Sequence, residues 1–122
     1  MSRILIADDE ASVREVIAVL LEDEGHTVQT APDGLAALKM IADDLPDLFI
    51  TDVMMPRLDG WLLLTFVRER APALPVIIIS AVDPRTTRLD LFAADHTVFL
   101  RKPFTLETLL TTVERLTGSS PN

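Results

Sequence analysis

The chain has 122 residues, 48% hydrophobic and 25% charged, and its 19 acidic against 11 basic side chains leave a net charge of −8. That length suits a single hydrophobic core with one site or surface, and the acidic balance argues against binding nucleic acid, which needs clustered Lys and Arg. The absence of cysteine excludes a disulfide, a thiolate nucleophile and a Cys-based zinc site, and with only His26 and His96 as imidazoles any metal would be held mainly by oxygen.

At the N-terminus, Met1-Ser2-Arg3 and a short apolar run that breaks at Asp8-Asp9 do not form a signal peptide. No later stretch approaches the ~18 apolar residues of a membrane span, so a soluble, cytoplasmic protein without a membrane partner is expected. Ile4-Leu5-Ile6-Ala7 is continuously apolar, the pattern of a strand covered on both faces. Between Glu10 and Gly25, Val13, Val16, Ile17, Leu20 and Leu21 recur at helical spacing and are expected to face inward, with Gly25 ending the helix. Thr27 to Thr30 reads as a weaker strand near a sheet edge. Pro32-Asp33-Gly34 opens a second helix with Leu35, Leu38, Ile41 and Ala42 inward. Leu48-Phe49-Ile50-Thr51 is a buried strand ending at Asp52, and a loop leads to a helix over about Trp61 to Arg70, closed by Pro72 and Pro75. Val76-Ile77-Ile78-Ile79 is strongly β-branched and ends at Ser80; Asp83-Pro84 opens a helix to about Ala94. A last strand over Val98 to Leu100 runs into Lys102-Pro103. Thr105 then caps a final helix carrying Leu106, Leu109, Leu110, Val113 and Leu116. The domain is expected over residues 1–117, with a disordered tail over 118–122.

Alternating strands and helices at this spacing imply an α/β fold, a parallel sheet with helices on both faces and a site beyond the carboxyl ends of the strands. Asp8-Asp9, Asp52, Ser80 and Lys102 follow four of the strands and therefore converge, although 94 positions separate Asp8 from Lys102. Each alone has an ordinary explanation. Asp9 or Ser80 caps a helix or turn, Asp52 begins a loop, and Lys102 is a surface charge. Together they place three carboxylates within a few ångströms, which repel unless a cation intervenes, and hard oxygen donors at a shallow site suit magnesium.

Asp8-Asp9-Glu10, Asp52-Val53-Met54-Met55-Pro56 with Asp59-Gly60, Ser80-Ala81 and Lys102-Pro103-Phe104 occur in an order and spacing that resembles the receiver domain of two-component response regulators. The resemblance covers essentially the whole chain. It implies a flavodoxin-like, doubly wound (βα)5 three-layer sandwich with a five-stranded parallel sheet in the order 2-1-3-4-5. It further implies that Asp52 is the phosphoacceptor, taking a phosphoryl group from a sensor histidine kinase or a phosphotransfer protein, so that the chain is a signalling phosphoacceptor rather than an enzyme. Asp9, Asp52 and the main-chain carbonyl of Met54 would bind Mg²⁺, with Mn²⁺ as a substitute, and Asp8 would act through water. Lys102 would neutralise phosphoryl charge, Ser80 would hydrogen-bond the attached group, and Phe99 would stand at the switch-aromatic position. The Lys102–Pro103 peptide is expected to be cis. Output would be altered binding of a downstream protein at the face of the last two helices and fifth strand.

Departures from the family pattern carry their own expectations. Asp95-His96-Thr97-Val98 stands where Gly-Ala-Asp-Asp is common, which weakens one route to a homodimer without excluding pairing. The third helix is apolar nearly all round, and Leu62 and Phe66, at i and i+4, are expected to form an exposed interaction patch unless they fold down over the domain. Met54 and Val82 offer no polar group to orient a water beside Asp52, so a long-lived phosphoryl group is expected. Three other readings are weaker. An aspartyl-phosphate phosphatase would want an acid at Met54, a flavin or nucleotide carrier would want a Gly-rich or Ser/Thr-rich loop after the first strand, and a docking module would not need the complete site.

Overall fold

A computed structural model of the chain describes residues 2–54, 57, 60–81 and 96–118. Five parallel strands, β1 (Arg3–Ala7), β2 (Thr27–Ala31), β3 (Leu48–Thr51), β4 (Val76–Ser80) and β5 (Thr97–Arg101), form one sheet in the order β2-β1-β3-β4-β5. The described helices are α1 (Ala11–Asp23), α2 (Gly34–Asp43), α3 (Gly60–Arg70) and α4 (Leu106–Thr117). The helix expected from Asp83 to Ala94 and the tail beyond Gly118 lie outside the described residues.

Strand side chains alternate between two cores, as a pleat covered on both faces requires. Ile4, Ile6, Ile50 and Ile77 pack with Ile17 and Leu21 of α1 and Leu109 and Val113 of α4. Leu5, Phe49, Val76 and Ile78 pack with Ala37 and Ile41 of α2 and Leu63, Leu64 and Val67 of α3. β3 and β4 are buried along their whole length, whereas β2, the expected edge strand, is largely exposed.

Two inward assignments and one outward assignment change. Val16 is 51% exposed because the buried stripe of α1 centres on Ile17, and the next residue on a helix lies 100° round from it. In α2, Ala37 rather than Ala42 completes the buried face, and Ala42 is exposed. In α3, Leu62 is exposed, but Phe66 is half-buried against the core, so the two do not form one exposed patch.

Local devices set the ends of the elements. Asp33 caps α2 by accepting the Ala36 N–H at 2.8 Å, and Thr105 caps α4 by accepting that of Thr108. Gly60 begins α3 where a Cβ would sit 2.4 Å from the Val53 Cα, so only glycine lets this helix start against the end of β3. Arg68 tucks its half-buried guanidinium under the β4–β5 edge, donating to the carbonyls of Leu74 and His96 and to the Thr97 hydroxyl.

Candidate functional site

Register brings the polar strand ends together. Ala7 is paired with Ala31 and Thr51, Thr51 with Ile78, and Ile78 with Phe99. Asp8 and Asp52 therefore leave the sheet side by side from the adjacent strands β1 and β3, Ser80 stands two residues past the same row, and Lys102 three. Main-chain hydrogen bonds hold these ends in place: Asp8 N–H to the Ala31 carbonyl at 3.3 Å, Asp52 N–H to that of Ala7 at 3.0 Å, and Lys102 N–H to that of Ser80 at 2.8 Å.

Asp8 is fully buried. Its Oδ1 accepts the Glu10 N–H at 2.9 Å, and its carbonyl accepts Arg14 Nη1 at 2.7 Å. Asp52 is 5% exposed, its Oδ1 accepts the Met54 N–H at 2.9 Å, and its carbonyl accepts the Thr51 hydroxyl. Lys102 reaches across the sheet with Nζ 2.9 Å from Asp52 Oδ2, 3.2 Å from Asp8 Oδ2 and 3.3 Å from Glu10 Oε1. Asp9 is exposed and contributes an oxygen to a cluster with Asp8 and Asp52 whose ligand atoms all lie within 4.8 Å of one another. Ser80 is buried at the end of β4, Phe99 is half-buried against the α2–α3 side core, and Met54 projects into solvent. The Lys102–Pro103 peptide is cis. In the loop after Asp52, Arg57 takes a left-handed backbone at φ 76° and pairs with Asp33, while Met55, Pro56 and Asp59 lie outside the described residues.

Burial pushes the Asp8 carboxyl above the usual carboxylate range, against the hydrogen bonds from Glu10 N–H and Lys102 that favour its charged form. Burial alone would lower the Lys102 ammonium, but its bonds to Asp52 and then Asp8 outweigh that and hold it above the usual lysine range. The acids are thus partly compensated from within the chain. Four carboxylates, those of Asp8, Asp9, Glu10 and Asp52, still face one ammonium. Of these, the clustered Asp8, Asp9 and Asp52 make an all-oxygen, net-negative donor set that fits a small hard dication such as Mg²⁺.

Sequence reasoning singled out Asp8, Asp9, Asp52, Ser80 and Lys102, and all five stand at this end of the sheet. It gave no role to Glu10, Arg14 or Thr51. The partnership of Glu10 and Lys102 spans 92 positions and has no local signal. Leu62 lies on α3, among the residues neither of the cluster nor of its immediate partners. Beside Lys102 a groove of about 570 Å³ opens, lined chiefly by Val13, Val16, Ala81, Pro103, Phe104 and Leu106.

Comparison with known proteins gives a consistent picture. The family model described as the response regulator receiver domain matches residues 4–114. The response regulator MprA of Mycobacterium ulcerans is 42% identical over 114 residues, which is 93% of this chain and 49% of the relative. The chain thus spans about half the length of the curated relatives it matches. Among solved structures, the chemotaxis response regulator CheY4 of Vibrio cholerae superposes with a TM-score of 0.85 at 33% identity, covering 95% of this chain and 98% of that one. The receiver domain of NtrX from Brucella abortus does so with a TM-score of 0.83 at 36% identity, covering 96% and 99%.

Proposed function

From the premise that this chain belongs to the response regulator receiver domain family, and so serves as a phosphoacceptor in two-component signalling, we propose that Asp52 is the residue phosphorylated. The observation that carries this is the hydrogen bond of 2.9 Å between Asp52 Oδ2 and Lys102 Nζ in a pocket of carboxylates at the end of β3.

A carboxylate oxygen of Asp52 attacks the phosphorus of a phosphohistidine. An O–P bond forms as the N–P bond breaks, and the imidazole nitrogen leaves with the electron pair. The Met54 N–H fixes Asp52 Oδ1, so the carboxylate meets the phosphorus with less freedom to lose. As Asp52 gives up its charge to the new acyl phosphate, Lys102 turns to a phosphoryl oxygen, where its flexible stem suits a moving point charge. The Ser80 hydroxyl, at the end of the neighbouring strand, donates to another, and Phe99 on the adjacent β5 repacks. Asp9, Asp52 and the Met54 carbonyl would hold Mg²⁺ directly and Asp8 through water. When bound, the ion supplies charge neutralisation for the transferring group.

The apolar groove beside Lys102, lined from α1 and the segment after β5, receives the protein that carries the phosphohistidine. The changed surface over β5 and α4 is read by a downstream protein; the other helix expected to share that face, from Asp83 to Ala94, lies outside the described residues. Residues 1–117 act as the receiver unit, with 118–122 outside it. Incubation with Mg²⁺ and acetyl phosphate is expected to add the mass of one phosphate to the chain, and Asp52→Asn to abolish the addition. An intact chain that takes up no phosphate points instead to a docking module.

A further inference from the structure

Lys102 Nζ donates to Asp52 Oδ2, Asp8 Oδ2 and Glu10 Oε1, and an ammonium has three donors, so these carboxylates use all of them. Asp8 and Asp52 belong to the oxygen cluster that suits a dication, whereas Glu10 does not. Lys102 competes with a dication for the same lone pairs and is repelled by it, so its hold on Asp8 and Asp52 must loosen when the ion arrives. Glu10 is the one partner of the three that remains.

We propose that Glu10 is a positioning residue, which keeps the Lys102 ammonium at the rim of the site while the carboxylates of Asp8 and Asp52 turn to the metal. The role deepens the phosphoacceptor reading and rests on it. A second feature agrees. Glu10 is the N-cap residue of α1, with extended backbone at φ −86° and ψ 106°, yet its side chain caps nothing. The carboxylate goes to Lys102 instead, while the Glu10 N–H fixes Asp8 Oδ1 at 2.9 Å. One residue thus orients a cluster acid from its main chain and the Lys102 ammonium from its side chain. Its side chain is 59% exposed, which leaves it free to follow the ammonium outward.

Calorimetric titration of the full chain with Mg²⁺ tests this. Glu10→Gln is expected to weaken Mg²⁺ binding about two- to fivefold, the size of an exposed ion pair. The same substitution in a Lys102→Met background is expected to leave the affinity unchanged. An equal loss in both backgrounds makes Glu10 a mere through-space charge and overturns the proposal, as does no loss in the parent. A second readout needs no Lys102 variant. The ¹⁵N signal of the Lys102 ammonium is expected to persist with Mg²⁺ in the parent and to broaden through water exchange in Glu10→Gln; identical signals overturn the proposal. Phosphate uptake is scored separately by mass. A chain that shows the expected Mg²⁺ pattern but takes no phosphate refutes the phosphoacceptor reading and supports the role of Glu10.

Discussion

Lys102→Met tests the electrostatics of the site most directly, because it removes the ammonium and keeps most of the stem. The Asp8 side chain is fully buried, that of Asp52 is 7% exposed and that of Lys102 18%, so two of its three ion pairs are largely out of water. Breaking a buried pair costs about 3–5 kcal/mol. The Glu10 pair, on an exposed side chain, adds less than about 1 kcal/mol. Two features reduce the total: Asp8 keeps the Glu10 N–H and Asp52 keeps the Met54 N–H, so neither carboxylate is left wholly unpaired. We expect a loss of about 2–3 kcal/mol at neutral pH without metal, within a total stability of about 5–15 kcal/mol. For a domain of this size that lowers Tm by about 6–12 °C. The pH dependence has a definite sign. Burial already raises the Asp8 carboxyl, and loss of the ammonium raises it further. A carboxyl raised on folding makes the folded state the better proton binder, so stability is lost as pH rises through the folded value and regained on acidification. Thermal unfolding followed by circular dichroism in EDTA should therefore show a deficit that narrows at mildly acidic pH and narrows again in millimolar Mg²⁺. A variant as stable as its parent at neutral pH in EDTA, or a deficit that widens on acidification, refutes the reasoning.

His26 should respond to pH in the opposite direction. Burial holds its imidazole below the ordinary 6.5, and its Nδ1 accepts the Ser2 N–H at 3.2 Å, so a second proton turns that acceptor into a donor. The unfolded chain protonates first, and stability present above 6.5 falls away as pH drops toward the folded value. His26→Gln, which can keep an acceptor, should remove about 1 kcal/mol of that dependence, read from urea midpoints at neutral and mildly acidic pH. Gly60→Ala should cost about 2–3 kcal/mol and slow phosphorylation by acetyl phosphate, since the new Cβ meets unyielding backbone of Val53. Leu62→Glu should stay within about 0.5 kcal/mol of the parent, whereas Phe66→Glu should cost about 2 kcal/mol or more, with sedimentation reporting whether Leu62 supports self-association. Met54→Asn, which places an amide beside Asp52, should shorten the lifetime of the phosphoryl group measured by loss of label.

The main features of the fold were readable in the chain. Continuous apolar runs such as Leu48 to Thr51 mark strands covered on both faces, and the polar residue at the end of each run marks the functional edge. Helical stripes were readable to within one residue of their rim. Val16 and Ala42 went to solvent because periodicity gives the direction of a stripe but not the width that the sheet will cover. Phe66 turned inward for the complementary reason: an aromatic at the margin can reach a core that a smaller side chain cannot.

Residue types and their spacing by themselves determined the α/β class, the site at the carboxyl ends of the strands, and the requirement for a cation among Asp8, Asp9 and Asp52, because strand length, hydrophobic period and charge are local properties. Only the tertiary structure decided how that requirement is shared. It brought Lys102 into contact with three acids 50, 92 and 94 positions away, and it turned the Glu10 side chain from capping its own helix to holding that lysine. Such pairings depend on strand register and on which donors burial has stripped of water, and neither is written in any neighbourhood of the chain.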